Sequence, residues 1–362
     1  MQTHVHVLRQ IDVGDSLDLD LVARLLGTRE LTRGATLLRG PRPSPSAGVV
    51  LRREPLDLKL GQVEVASFTA EVRARMFDFG VIAIRFTFSL TDVTSSEFID
   101  LSNRIAVESA TFDAQARRIW LDLSAQVREA LVPWEETKAS QLIEDFTVFV
   151  LPTMPEGDLG TDRILAHALL GEPAHRRIAA STVQELSRRA IRYYEDDLVL
   201  VDYDTAIVVD KEGATDLVDI FEIASAQVLE LRFYDALLGR SLEALLRDVR
   251  RARTAAWLLR SPFRALARRA AVLALELGQM TDRLERAITL VGDTYSAQIY
   301  RETSVRFRLA EAGASAREKV SMIDRVSEAL GYEIHARRDL ALEFLVILLI
   351  AIEVVIAFRT GH

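Results

Sequence analysis

Leu340 to Phe358, reading LALEFLVILLIAIEVVIAF, constrains this chain more than any other stretch: across nineteen residues only Glu343 and Glu353 interrupt an apolar surface. A helix of that length is about 28 Å long, close to the roughly 30 Å of bilayer hydrocarbon, so the segment reads as a membrane span. The competing reading is a buried core helix or central strand. The nine consecutive apolar residues Phe344 to Ile352 leave no polar face and favour the bilayer. Arg337 and Arg338 precede the segment and Arg359 follows it, which places the N-terminal bulk on one side of a cytoplasmic membrane as a single-pass, tail-anchored protein. A carboxylate in hydrocarbon costs a few kcal/mol. Glu343 and Glu353, with Phe344 between them, are therefore the anchor's candidate contact residues, by snorkelling to an interface or by facing a partner helix.

Upstream, the pattern is mixed. His4 to Ile11 alternates as a first strand, and Asp18 opens an apolar helical pattern that stops at Gly27. VEVASFTAEVRARMF reads as one strand and DFGVIAIRFTFSL as a second, buried on both faces. Thr94-Ser95-Ser96-Glu97 is a capping box, and FTVFVL at 146–151 is a further strand closed by Pro152. Strand, helix, strands, helix, strand is the order of a ferredoxin-like unit over residues 1–155. Residues 156–214, with helical patterns at 164–170 and 181–194 and the hairpin LVLVDYDTAIVVD, form a smaller α+β part packed on it. Beyond Thr215 apolar residues recur every three or four positions. They predict a helix of about 40 residues, a turn at Ser261-Pro262 and an antiparallel partner helix running to a break at Gly313. The expected fold class is α+β: a ferredoxin-like body, a long helical hairpin or coiled coil over 215–338, and a transmembrane helix over 339–359.

The absence of cysteine excludes disulfides and thiolate chemistry, and the N-terminus lacks the charged start and apolar core of a leader. The net charge of −8 argues against general coating of nucleic acid, but that charge is uneven. From Arg240 to Arg269 nine arginines face only Glu243 and Asp248. Arg247, Arg250, Arg251, Arg253, Arg264, Arg268 and Arg269 are candidate ligands for a polyanion, either anionic lipid or RNA, including the ribosome. Long heptad-like helices and a bare apolar helix also favour a homo-oligomer, with the lipid bilayer as a further partner.

Catalytic motifs are not visible, no cofactor is implied, and the expected role is a non-enzymatic scaffold or tether. The alternative is an enzyme or metal-dependent activity built on His167, inside an apolar helix, or on Asp202 and Asp204, two residues apart with Glu195, Asp196, Asp197 and Asp210 nearby. His4 and His6 share one strand face but lack an evident third ligand.

Leu342-Glu343-Phe344, the run Val346 to Ile352 and Glu353 resemble the anchor of the required-for-meiotic-nuclear-division family, whose common region is a domain of unknown function. Phe77 to Phe88 with Gly80, Ala166-His167-Ala168-Leu169 and Asp282-Arg283-Leu284 are similar to further elements of that family, although Arg85 stands where a tryptophan is usual. The resemblance implies a bacterial relative: a membrane-tethered protein without catalytic residues, supporting membrane-associated assembly or translation.

Overall fold

β1 (Thr3–Asp12) is the middle of the molecule's main sheet, and its period-2 alternation assigns the neighbouring strands their two faces. The computed structural model describes residues 2–27, 31–33, 37–38, 48–51, 53–132, 143–211, 214–255, 263–285, 288–291 and 295–360. After β1 come β2 (Ser16–Leu17), α1 (Leu19–Leu26), β3 (Leu31–Arg33), β4 (Leu37–Leu38), β5 (Gly48–Leu51), β6 (Leu56–Val65), β7 (Phe68–Met76) and β8 (Val81–Leu90). α2 (Ser95–Val107), α3 (Ser109–Val127), a 3-10 turn, β9 (Leu131–Val132), β10 (Ile143–Leu151), α4 (Thr161–Leu169), α5 (Ala180–Arg189), β11 (Leu198–Val201) and β12 (Thr205–Val209) follow. The remainder is α6 (Thr215–Ala255), α7 (Phe263–Glu285), β13 (Ile288–Val291), α8 (Tyr295–Arg306) and α9 (Leu309–Thr360).

The chain divides into two compact units, the first holding residues 1–233 and 283–312, the second 234–282 and 313–362. In the first, eight strands lie in the order β11-β12-β10-β1-β8-β7-β6-β3, with only β10 and β12 parallel. Val5, Val7, Val72, Ala74, Ile84, Phe86 and Phe149 point to the face covered by α1 to α5 and form the main core. The other face meets α6 and α8, where Phe146 packs 5.6 Å from Phe221 and 5.1 Å from Phe307, centroid to centroid. Gly80 allows the tight β7–β8 connection: its φ is +84° and an added Cβ would lie 1.8 Å from the Gly14 carbonyl oxygen.

The mixed α+β class is as the sequence reads. Within this sheet β10, β1, β8 and β7 are successive antiparallel neighbours, with β6 and β3 beyond β7 and β12 and β11 beyond β10. VEVASFTAEVRARMF, read as one strand, folds back at Ala66-Ser67 to become the end of β6 and all of β7.

The second unit is helical. α6 and α9 run alongside each other and α7 runs against both: Leu238 clusters with Leu273 and Ala316, and Ala252 with Phe263 and Leu330. Lys319 Nζ lies 2.6 Å from Asp235, and Ser327 donates to the Ala267 carbonyl oxygen at 3.1 Å. The helix expected to run to residue 312 ends at Glu285, and Gly313 sits inside α9 rather than breaking a helix. The Ser261-Pro262 turn lies outside the described residues.

The membrane span is also corrected. Among the described residues no helix is long and apolar enough to cross a membrane. The single-pass, tail-anchored placement falls with it.

Candidate functional site

On the α6 face of the sheet, three strands bring charges together where their neighbours bring aliphatic groups. β7 places Arg73 and Arg75 two residues apart, β8 places Arg85 opposite Arg73, and β6 places Asp57 opposite Arg75. Asp219 and Glu222, three residues apart on α6, come down onto them. Arg75 is bidentate on Asp57 at 2.7 and 2.9 Å and also lies 2.9 Å from both Asp219 and Glu222. Arg85 pairs with Asp219 at 2.5 Å and with Glu222, and Arg73 reaches Asp219 at 3.2 Å. Arg75 is 2% exposed and Glu222 fully buried, so these pairs are largely out of water.

Three cations meet three anions, and the charges balance. Burial works to raise the Asp219 carboxyl, but Arg85 and Arg75 outweigh it and hold it well below the usual carboxylate range. Burial likewise opposes the Arg75 and Arg85 charges, and Glu222 and Asp219 more than restore them. His6 borders the cluster, with Nδ1 3.1 Å from the Thr87 hydroxyl. Burial, then the Arg85 charge, lower its pKa to about 3 and keep it neutral. Farther along the same face Arg232 holds Glu144 at 2.5 Å and donates to the Tyr203 hydroxyl at 2.8 Å.

The sequence-predicted candidates do not join this cluster. His167 is 2% exposed in α4, among core residues Leu165, Ala166 and Leu169, with Nδ1 3.1 Å from the Glu172 carbonyl oxygen. Asp202 and Asp204 sit in the β11–β12 turn, where burial and then Asp204 raise the Asp202 pKa. Asp196 pairs with Lys211, and Asp197 accepts from the Tyr193 amide. His4 pairs with Ser89 at 2.7 Å. Among the described residues no three His, Asp or Glu side chains converge as metal ligands.

Arg247, Arg250, Arg251, Arg264, Arg268 and Arg269 are all exposed on α6 and α7. Arg247 lies 3.7 Å from Glu243, and Arg269 lies 3.2 Å from Asp248. Glu343 is exposed on α9, while the side chains of Arg253, Phe344 and Glu353 lie outside the described residues. What the sequence reading missed is the six-residue cluster itself. Its signal was present in Arg85 within an apolar strand, the alternating Arg73 and Arg75, and two acids on an otherwise apolar turn of α6.

Residues 2–215 match the family described as the N-terminal domain of the uncharacterized protein MJ0711. The uncharacterized protein MJ0711 of Methanocaldococcus jannaschii is 24% identical over 234 residues, which cover 63% of this chain and 70% of that relative. No solved structure matches. These matches overturn the resemblance to the required-for-meiotic-nuclear-division family, and the bacterial placement goes with it. The matched region ends at the first residue of α6, so Asp57, Arg73, Arg75 and Arg85 lie inside it and Asp219 and Glu222 just beyond.

Proposed function

The chain belongs to the family of the MJ0711 N-terminal domain, and from that premise we propose that it is a non-enzymatic scaffold which works as a homo-oligomer. The observation behind this reading is the use of the sheet's charged groups. Asp57, Arg73, Arg75 and Arg85 are engaged with one another and with the acids that root α6, an arrangement that holds a helix in place rather than one that turns over a substrate. α6 is a single helix of 41 residues whose first part belongs to the sheet unit and whose last part belongs to the helical one.

Self-association is supported by α9. Leu342, Leu345 to Ile350 and Ile352 are each between 47% and 58% exposed, more contiguous aliphatic surface than a lone chain ordinarily shows to water. The test is sedimentation velocity of the full chain beside the Leu345→Asp/Leu349→Asp variant. The parent should sediment as an oligomer at micromolar concentration and the variant as a monomer. A parent that is monomeric throughout that range contradicts the reading.

A further inference from the structure

We infer that the outer faces of α6 and α7 in the helical unit form a docking surface for an anionic lipid bilayer, gripped by Arg247, Arg250, Arg264 and Arg268 and seated by aliphatic side chains between them. The geometry starts from what these helices bury. Leu245, Val249 and Ala252 of α6 and Phe263, Leu266 and Ala270 of α7 turn inward. The helical period therefore turns Arg247 and Arg250 outward on α6, and Arg264, Arg268, Val272 and Leu275 outward as one stripe on α7. The cations are exposed. Glu243 lies 3.7 Å from Arg247, and Asp248 is engaged by Arg269.

The aliphatic groups select the partner. Leu246 is 37%, Val272 44% and Leu275 63% exposed, and they share these faces with the arginines. A bilayer offers phosphates for the guanidiniums and acyl chains just beneath for Leu and Val. RNA offers the phosphates but needs aromatic side chains for its bases, and no aromatic residue stands among Arg264, Arg268, Val272 and Leu275. The interaction lies on the surface and needs no spanning helix.

The full chain is tested by cosedimentation with vesicles of phosphatidylcholine mixed with phosphatidylglycerol, with phosphatidylcholine vesicles and a single-stranded RNA in parallel. Binding to the anionic vesicles should weaken at least tenfold in Arg247→Glu/Arg250→Glu/Arg264→Glu/Arg268→Glu, since each cation near the surface contributes about 1 kcal/mol. It should weaken similarly in about 0.5 M salt, where the Debye length is roughly 4 Å. The matching Arg→Lys variant should bind as the parent does, and Val272→Ser/Leu275→Ser several-fold less. If the Glu variant loses helicity by circular dichroism, the Lys and Ser variants and the salt series decide the matter. Equal binding to neutral vesicles, parental affinity in the Glu variant, or tighter binding to RNA than to anionic vesicles overturns the proposal. The oligomer measurement above uses different residues, so either result stands without the other.

Discussion

Single side chains make this protein sensitive to acid in two steps. The His6 pKa is about 3 in the folded chain against 6.5 when unfolded, so below about pH 6.5 only the unfolded state takes up this proton. Its contribution is complete above pH 6.5 and is lost progressively as the pH falls toward 3. Asp219 then acts the same way lower down: its folded pKa is depressed below 3.8, so its contribution is complete above that value and lost beneath it. Hydrogen-exchange stability of β1 should therefore decline from about pH 6.5, and His6→Gln, which keeps a hydrogen-bonding partner for Thr87, should flatten the upper part of that decline. An unchanged profile in the variant would show that His6 is not held neutral by burial and Arg85.

Elements were legible where the code is local. Asp18 caps α1 by accepting from the Asp20 and Leu21 amides, Gly27 ends that helix with φ 66°, and the Thr94–Glu97 box opens α2. The β11–β12 hairpin and the 41-residue α6 also follow their patterns. The β6–β7 turn did not. Ala66 and Ser67 adopt φ of 47° and 63°, as a two-residue hairpin of this kind requires, yet neither is the Asn, Asp or Gly that announces one. Neighbouring strands supply the register that these two residues do not encode. Ala66→Asn/Ser67→Gly should therefore stabilise the sheet unit by about 1–2 kcal/mol in urea unfolding, since Asn and Gly adopt the left-handed conformation of this turn at lower cost than Ala and Ser. A destabilised variant would mean that the turn has another geometry. The charge cluster was illegible for a similar reason: six residues from four elements meet only once β6, β7, β8 and α6 are assembled, and a lone Arg85 in an apolar strand names no partner.

At the scale of the whole molecule, hydropathy was the poorest guide. The apolar run at 340–358 set the expectation of a membrane span, but those residues belong to a 52-residue α9 that begins at Leu309 and packs as a bundle helix through Leu330. The proposed scaffold depends instead on the balanced cluster at the root of α6 acting as a clamp. A clamp and a site respond oppositely to losing one charge: a clamp is left with a buried, unpaired ion, whereas a functional site relaxes strain and gains stability. The direct test is the stability of the sheet unit, read from the slowest-exchanging amides of β1 and β8, for Arg85→Met, Glu222→Leu and the double variant. Each single change should cost about 3–5 kcal/mol. The double variant, with two cations left against two anions, should recover a large share of the summed loss. Single variants as stable as the parent or more so, or losses that simply add, would contradict the clamp.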